Sequence, residues 1–162
     1  NNNTTKNINP NQIGISGQSL GALTALQTGA KTQNFAAVAV HDPPVAFETL
    51  VREEMVYQGF PPVLYTPVLH YARIFKGENL TEVTPQTALE SGNKQPVLVF
   101  NGLLDERVQA HHTEDLIKIA NNNGIDITVY RYEDMGHVES LWGYNDEFSE
   151  AIVSFFDKNL SS

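Results

Sequence analysis

The sequence contains no cysteine. That absence removes disulfides, thiolate nucleophiles and zinc–thiolate sites together, while leaving the compartment open. Positive charge is also scarce. Ten Lys and Arg stand against nineteen Asp and Glu, a formal net charge of -9. A phosphate-binding surface depends on clustered Lys and Arg, so nucleic acid is not an expected partner. The overall field weakly favours small neutral or cationic ligands. No apolar run approaches the roughly 18 residues that a membrane span needs, and the polar first ten residues show no leader-like apolar segment. The expectation is a soluble protein of unknown location. Asn-x-Ser/Thr triplets at Asn2, Asn3, Asn79 and Asn159 are read as accidents of an Asn-rich chain rather than glycan acceptors. What remains is ordinary globular material: 162 residues, 41% of them apolar, enough for a sizeable core.

The most informative stretch is Gly17-Gln18-Ser19-Leu20-Gly21. A short apolar strand around Ile13 and Ile15 leads into it, and Leu20, Leu23 and Leu26 follow at helical spacing. G-x-S-x-G between a strand and a helix is the pattern of a nucleophile elbow centred on Ser19. Such a tight turn strains the Ser backbone, so the residues two before and two after it are expected to need no side chain. The helix that follows opens on unpaired backbone N–H groups, and Leu20 N–H is the expected oxyanion donor. The bland alternative is a Gly-rich turn with an idle Ser.

Further along, residues 35–40 form a continuous apolar run of strand length, read as a buried parallel strand. It ends in His41 and Asp42, at the sheet edge where open α/β folds hold ligands, and Pro43-Pro44 turns the chain out. Residues 45–92 carry helix signals without strands. Phe47, Leu50, Val51 and Met55 make one stripe; Thr66-Pro67 reads as a cap and first helical residue, with Gly77 as the stop; Thr84-Pro85 repeats the device for a shorter helix ending near Gly92. This apolar, aromatic insert is expected to be a helical cap whose inner face lines an acyl or aryl pocket. Alternation then resumes: a strand over 95–100, a helix carrying Val108, His112, Leu116, Ile119 and Ala120, a strand through Ile125, Ile127, Val129 and Tyr130, and a last helix with Phe148, Ile152, Phe155 and Phe156 on one face. The pattern predicts an α/β fold with a doubly wound, mostly parallel sheet. Its organisation is core over 1–44, cap over 45–92, and the rest of the core over 93–162.

Asp105 and His137 each follow a predicted strand at the edge that carries Ser19. The order Ser19, Asp105, His137 is the hydrolase order for a Ser-His-acid triad. On these residues, Gly14-Ile-Ser-Gly-Gln-Ser-Leu-Gly21, the run over 96–108 and Met135-Gly-His137, the chain resembles the α/β-hydrolase superfamily, in particular its esterase and prolyl-oligopeptidase-like branches. The resemblance implies that Ser19 is nucleophile, His137 base and Asp105 acid, with Gln18 near the acyl pocket. It implies acyl-enzyme chemistry needing no metal and no organic cofactor. Ester, thioester, lactone and peptide substrates all stay open, with small acyl esters the default because the cap is apolar.

Asp42 is the alternative acid, since some members of that superfamily take theirs from this strand; its other expected role is to cap the first helix of the insert. Asp134 is expected to be solvated. Adjacent His111 and His112 should point to different faces of a helix, which argues against a shared metal site. Trp142 is a candidate for the pocket mouth. The resemblance covers the later part of the fold only, so the strands before the elbow and the second oxyanion donor are expected to come from the same precursor, from a second chain, or from self-pairing of the exposed edge. The competing expectation is a hydrolase-like module that binds or assembles without catalysing.

Overall fold

A computed structural model describes residues 9, 12–76 and 84–160. Strands β1 (Gly14–Gln18), β2 (Ala37–His41), β3 (Val97–Gly102) and β4 (Ile127–Tyr132) form one sheet in the order β1-β2-β3-β4, parallel throughout. The central strands β2 and β3 are buried along their whole length. Their unbroken apolar runs therefore read as strands covered on both faces.

Side-chain alternation sorts these runs into two cores. Val38, Val40, Val97 and Val99 face the helices α1 (Leu20–Lys31), α4 (Pro85–Ser91) and α5 (His111–Asn123), meeting Ala22, Leu26, Leu89, Leu116 and Ile119. Ala39, Leu98 and Phe100 face α7 (Asn145–Leu160), preceded by the single turn α6 (Ser140–Gly143). Phe100 and Phe148 pack with ring centroids 4.2 Å apart. Truncating a buried Phe of this kind costs about 3–5 kcal/mol, so this pair is a main anchor of the α7 layer.

Between β2 and β3 the chain forms α2 (Phe47–Tyr57), a 3₁₀ turn (Pro62–Leu64), α3 (Tyr65–Lys76) and α4. Thr84 caps α4 as expected, its Oγ1 accepting from Thr87 N–H. α3 begins at Tyr65, directly after the 3₁₀ turn, so Pro67 is its third residue rather than its first. A proline is tolerated there because first-turn N–H groups lack helical partners anyway. The expected stop at Gly77 lies outside the described residues, as do Asn2, Asn3 and Asn79. α4 packs on α1 and α5, with Ala88 and Leu89 in the core, so it completes the core layer rather than covering the sheet edge. α3 rests on α2 and the 3₁₀ turn, and Val63, Val68 and Ile74 remain exposed.

Candidate active site

Ser19 occupies the sharp junction between β1 and α1 with φ 51° and ψ -122°. For a residue with a Cβ this is a strained backbone. The strain is held by Ser19 N–H donating to His41 O on the neighbouring strand (2.9 Å) and by Ser19 O accepting from Ala22 and Leu23 N–H. Leu20 N–H, first in the helix, has no intrahelical acceptor. Gly17 is sterically required, since a Cβ there would lie 2.2 Å from Gly21 O. Gly21 is not: a Cβ there meets nothing within 4 Å among the described residues. The expected symmetry of the two glycines therefore fails on the second.

Asp105 and His137 are brought together. Asp105 Oδ1 accepts from Arg107 N–H and Val108 N–H, both at 2.9 Å, in the turn that follows β3. That leaves Oδ2 for His137 Nδ1, at 2.6 Å. A carboxylate saturated in this way orients the ring: Nδ1 carries the proton and donates it, leaving the Nε2 lone pair as the basic atom. Asp105 is buried, while His137 keeps 17% of its side chain exposed.

Asp42 does neither of the jobs expected of it. Helix α2 begins after Ala46 without a side-chain cap, and the hydrogen bond to His137 belongs to Asp105. Instead Asp42, fully buried and itself at φ 44°, joins three elements. Oδ1 accepts from Gly102 N–H (2.9 Å) and Asn101 Nδ2 (3.2 Å) at the end of β3; Oδ2 accepts from Val138 N–H (2.7 Å) in the loop after β4. Val138 has φ 60°, a real outlier for a β-branched residue. Ser19, Asp42 and Val138 are the non-glycine residues with positive φ among the described residues, and all stand at the carboxyl end of the sheet. Burial raises the Asp42 carboxyl to about 6 against the opposing pull of its three hydrogen bonds. Neighbouring His41, also buried, is lowered to about 4, first by desolvation and then by the proximity of His137. It is neutral at pH 7, with Nε2 at 2.7 Å from Ser140 Oγ.

Beside Ser19 lies a cavity of about 250 Å³ lined by Leu20, Phe47, Leu50, Val51, Met55 and Val108 together with Glu54 and Arg107. Among the described residues of the expected cap, those of α2 alone line it. Neither Gln18 nor Trp142 does; Trp142 is 73% exposed. Arg107 forms a forked pair with Glu54, Nε and Nη2 each 3.2 Å from a carboxylate oxygen. The Glu54 carboxyl is held below its usual range by its bonds to Gln58 and Arg107. Asp134 is exposed, as expected, and accepts from Tyr144 OH at 2.9 Å.

His111 and His112 do not diverge as helical spacing predicts. Their rings stack at 4.4 Å, and both Nε2 atoms reach Glu53, at 3.2 and 3.0 Å. Three ligand-type atoms thus sit within 4.8 Å of one another. His112 Nδ1, however, accepts from Val45 N–H (3.3 Å), so in the neutral ring the proton is on Nε2 and the lone pair a metal would need is not available. Glu53 joins α2 to α5 through these bonds. Sequence spacing gave no sign of it, nor of Val138, Ser140 or the Glu54–Arg107 pair, because each depends on contacts between distant elements.

Solved structures with this fold include an esterase of Pyrococcus furiosus (21% identity over 91% of this chain and 54% of that one, TM-score 0.66). Others are an acylaminoacyl peptidase of Pyrococcus horikoshii (17%, 94% and 25%, TM-score 0.71) and a puromycin-hydrolyzing peptidase of Mycobacterium tuberculosis (19%, 94% and 23%, TM-score 0.73). The chain thus spans about half the length of the esterase and about a quarter of each peptidase. No curated protein matches. The model of the prolyl oligopeptidase family matches residues 2–162. With that match spanning nearly the whole sequence and the parallel sheet agreeing with the hydrolase structures, the chain belongs to the prolyl oligopeptidase family of α/β-hydrolases.

Proposed function

We propose that the protein is a serine hydrolase in which Ser19 attacks an acyl carbonyl, His137 Nε2 takes the Ser19 proton, and Asp105 holds the imidazole tautomer and stabilises the imidazolium. The observation that carries this is the Asp105–His137 bond of 2.6 Å, made by a carboxylate whose other oxygen is filled by two backbone N–H groups. The strained Ser19 supports it, because strain of that kind is maintained only where the surroundings enforce it. Leu20 N–H serves as one oxyanion donor. Attack expels the alcohol or amine, protonated by His137, and water then releases the acid from the acyl-enzyme. Further strands beside β1 and a second oxyanion donor belong to this proposal, supplied by the same precursor or a second chain. An oxyanion hole lacking one donor loses roughly 10² to 10³ in rate.

The substrate we propose is a small carboxylic ester, since the cavity beside Ser19 is walled mainly by apolar side chains. A peptidase is the second reading, favoured by the Glu54–Arg107 pair in that wall, which offers polar anchoring for a backbone beside an apolar side chain. The test is exposure to a fluorophosphonate, followed by intact and peptide mass spectrometry. A stoichiometric adduct on Ser19, absent in Ser19→Ala, is the expected result. Inertness of a demonstrably complete assembly sinks the enzyme reading in favour of a binding module.

A further inference from the structure

Resting on the serine hydrolase reading, we propose that Asp42 is the positioning residue that holds His137 in place for Ser19, by tethering the loop after β4 to the end of β2. The sheet order creates the need. Ser19 ends β1 and the loop carrying His137 leaves β4, at opposite edges of the four strands. Asp105, on the β3 side, orients the imidazole but does not draw the loop further. Asp42 does. Its Oδ2 takes Val138 N–H, the amide adjacent to His137, and so carries the loop back from β4 to β2. That is two strand spacings, roughly 10 Å. Among the described strands β1 lies next beyond β2, and Ser19 N–H is bonded to His41 O, one residue from Asp42.

The tether works against strain. Val138 is held at φ 60°, a conformation a β-branched residue leaves unless a strong bond retains it. A buried carboxylate accepting an N–H is such a bond. Asp42 is in turn braced by Gly102 N–H and Asn101 Nδ2 and by its own N–H to Phe100 O. Asn at position 42 would break this arrangement without changing its shape. If its oxygen takes Gly102 N–H, its amide meets Val138 N–H donor to donor; if it is flipped, the clash moves to Gly102.

The titratable groups facing Asp42 are His41 of β2, with Nε2 at 3.5 Å, and Asp105 and His137, whose polar atoms lie within 4.8 Å of it. His41 is neutral above about pH 4, so it does not hold the carboxyl ionised. Burial places the Asp42 titration near pH 6. Protonation there relieves the buried charge but adds a donor to a site with three donors already aimed at it, so the tether to Val138 loosens even as the fold as a whole gains stability. On the acid side, activity should therefore fall more steeply than a single protonation of the base allows.

The experiment compares the full chain with Asp42→Asn and with Asp42→Asn combined with Val138→Gly, a glycine being free to adopt φ 60° without the tether. Two readouts are taken: the rate of fluorophosphonate labelling of Ser19 from pH 4.5 to 8, and hydrogen exchange of the Val138 amide relative to amides of β2 and β3. The expected result for Asp42→Asn is a labelling rate lower on the order of 10²-fold, as for a misplaced catalytic group. Inhibitor affinity should be nearly unchanged, the acid limb should flatten to one proton, and Val138 exchange should rise at least tenfold while the strands stay protected. The double variant should recover a large part of the rate. Wild-type labelling and unchanged Val138 exchange in Asp42→Asn overturn the proposal; so does a loss that merely follows the unfolded fraction. If the wild-type protein in a demonstrably complete assembly takes no label, the hydrolase reading has failed, and Val138 exchange alone still decides whether Asp42 holds the loop.

Discussion

Replacing Gly102 by Ala puts the structure of the site to a quantitative test. Gly102 ends β3 directly beneath the loop that carries His137. A Cβ built there falls 2.6 Å from the carbonyl oxygens of both Met135 and Gly136. Reaching 3.0 Å needs a displacement of about 0.4 Å, and ordinary van der Waals contact at 3.4 Å needs about 0.8 Å. No side chain can rotate out of the way, since both contacts are backbone, and Gly136 is covalently joined to His137. The Asp105–His137 bond, at 2.6 Å, cannot absorb such a shift and stay short. Overpacking of this size costs about 1–3 kcal/mol of stability, and misplacing the base by most of an ångström lowers the chemical step on the order of 10²-fold. Urea unfolding and kcat and KM on a p-nitrophenyl ester measure both terms, with the fall expected in kcat. Gly92→Ala is the control: its Cβ would lie 2.3 Å from Ala30 O, between α4 and α1, so it should destabilise the fold while leaving the kcat of the folded fraction alone. Wild-type kcat in Gly102→Ala, or an equal loss in Gly92→Ala, would refute the reasoning.

Ser19→Gly should remove activity, with a loss on the order of 10⁶ in kcat, yet raise stability by about 1 kcal/mol, because glycine adopts φ 51° without the strain Ser bears; denaturant midpoints against Ser19→Ala test this. The buried pair His41 and Asp42 should respond to acid in opposite senses. His41, lowered from 6.5 to about 4, contributes stability that is fully present above pH 6.5 and lost as pH falls toward 4, roughly 3 kcal/mol. Asp42, raised from 3.8 to about 6, gains a similar amount as pH falls through 6 toward 4. Acid unfolding followed by circular dichroism should therefore find His41→Gln more acid-resistant than wild type and Asp42→Asn more acid-labile; shifts of the reverse sign would contradict the assigned titrations. Stoichiometric Zn²⁺ should leave the Tm unchanged despite the Glu53, His111 and His112 cluster, because Val45 N–H fixes the His112 proton on the nitrogen a metal would need; a clear rise in Tm would show that this bond yields to the ion.

The sheet was legible because its central strands are buried on both faces, and residues such as Val38 and Val99 must then be apolar without interruption. The helices were legible where one face packs on that sheet, as in α7. Asp105 and His137, whose side chains meet at 2.6 Å, could be placed in advance at the edge that carries Ser19 because each follows a strand, and parallel strands deliver their carboxyl ends to one edge. The function of Asp42 was not. Its carboxylate accepts hydrogen bonds from groups at positions 101, 102 and 138, a convergence that no local pattern encodes. Stacking of His111 on His112 defied helical spacing for the same kind of reason: Glu53, on a different helix, draws both rings together. Position 67 failed at the level of a cap, since the 3₁₀ turn feeds straight into α3 and starts it early.

The sheet's strand order, identical to the order of the strands in the sequence, bears on how the protein is made. During synthesis, which proceeds from the amino end, each new strand has its docking edge already present, and none must wait for a later one or insert between two earlier ones. Ser19, the proposed nucleophile, leaves the ribosome with β1, whereas His137, the proposed base, follows β4 and needs the ends of β2 and β3 to be set before its loop has anything to hold. On the proposed roles chemical competence arrives last, and a chain halted before residue 138 would carry Ser19 without the tethered His137 that the proposal needs to ionise it.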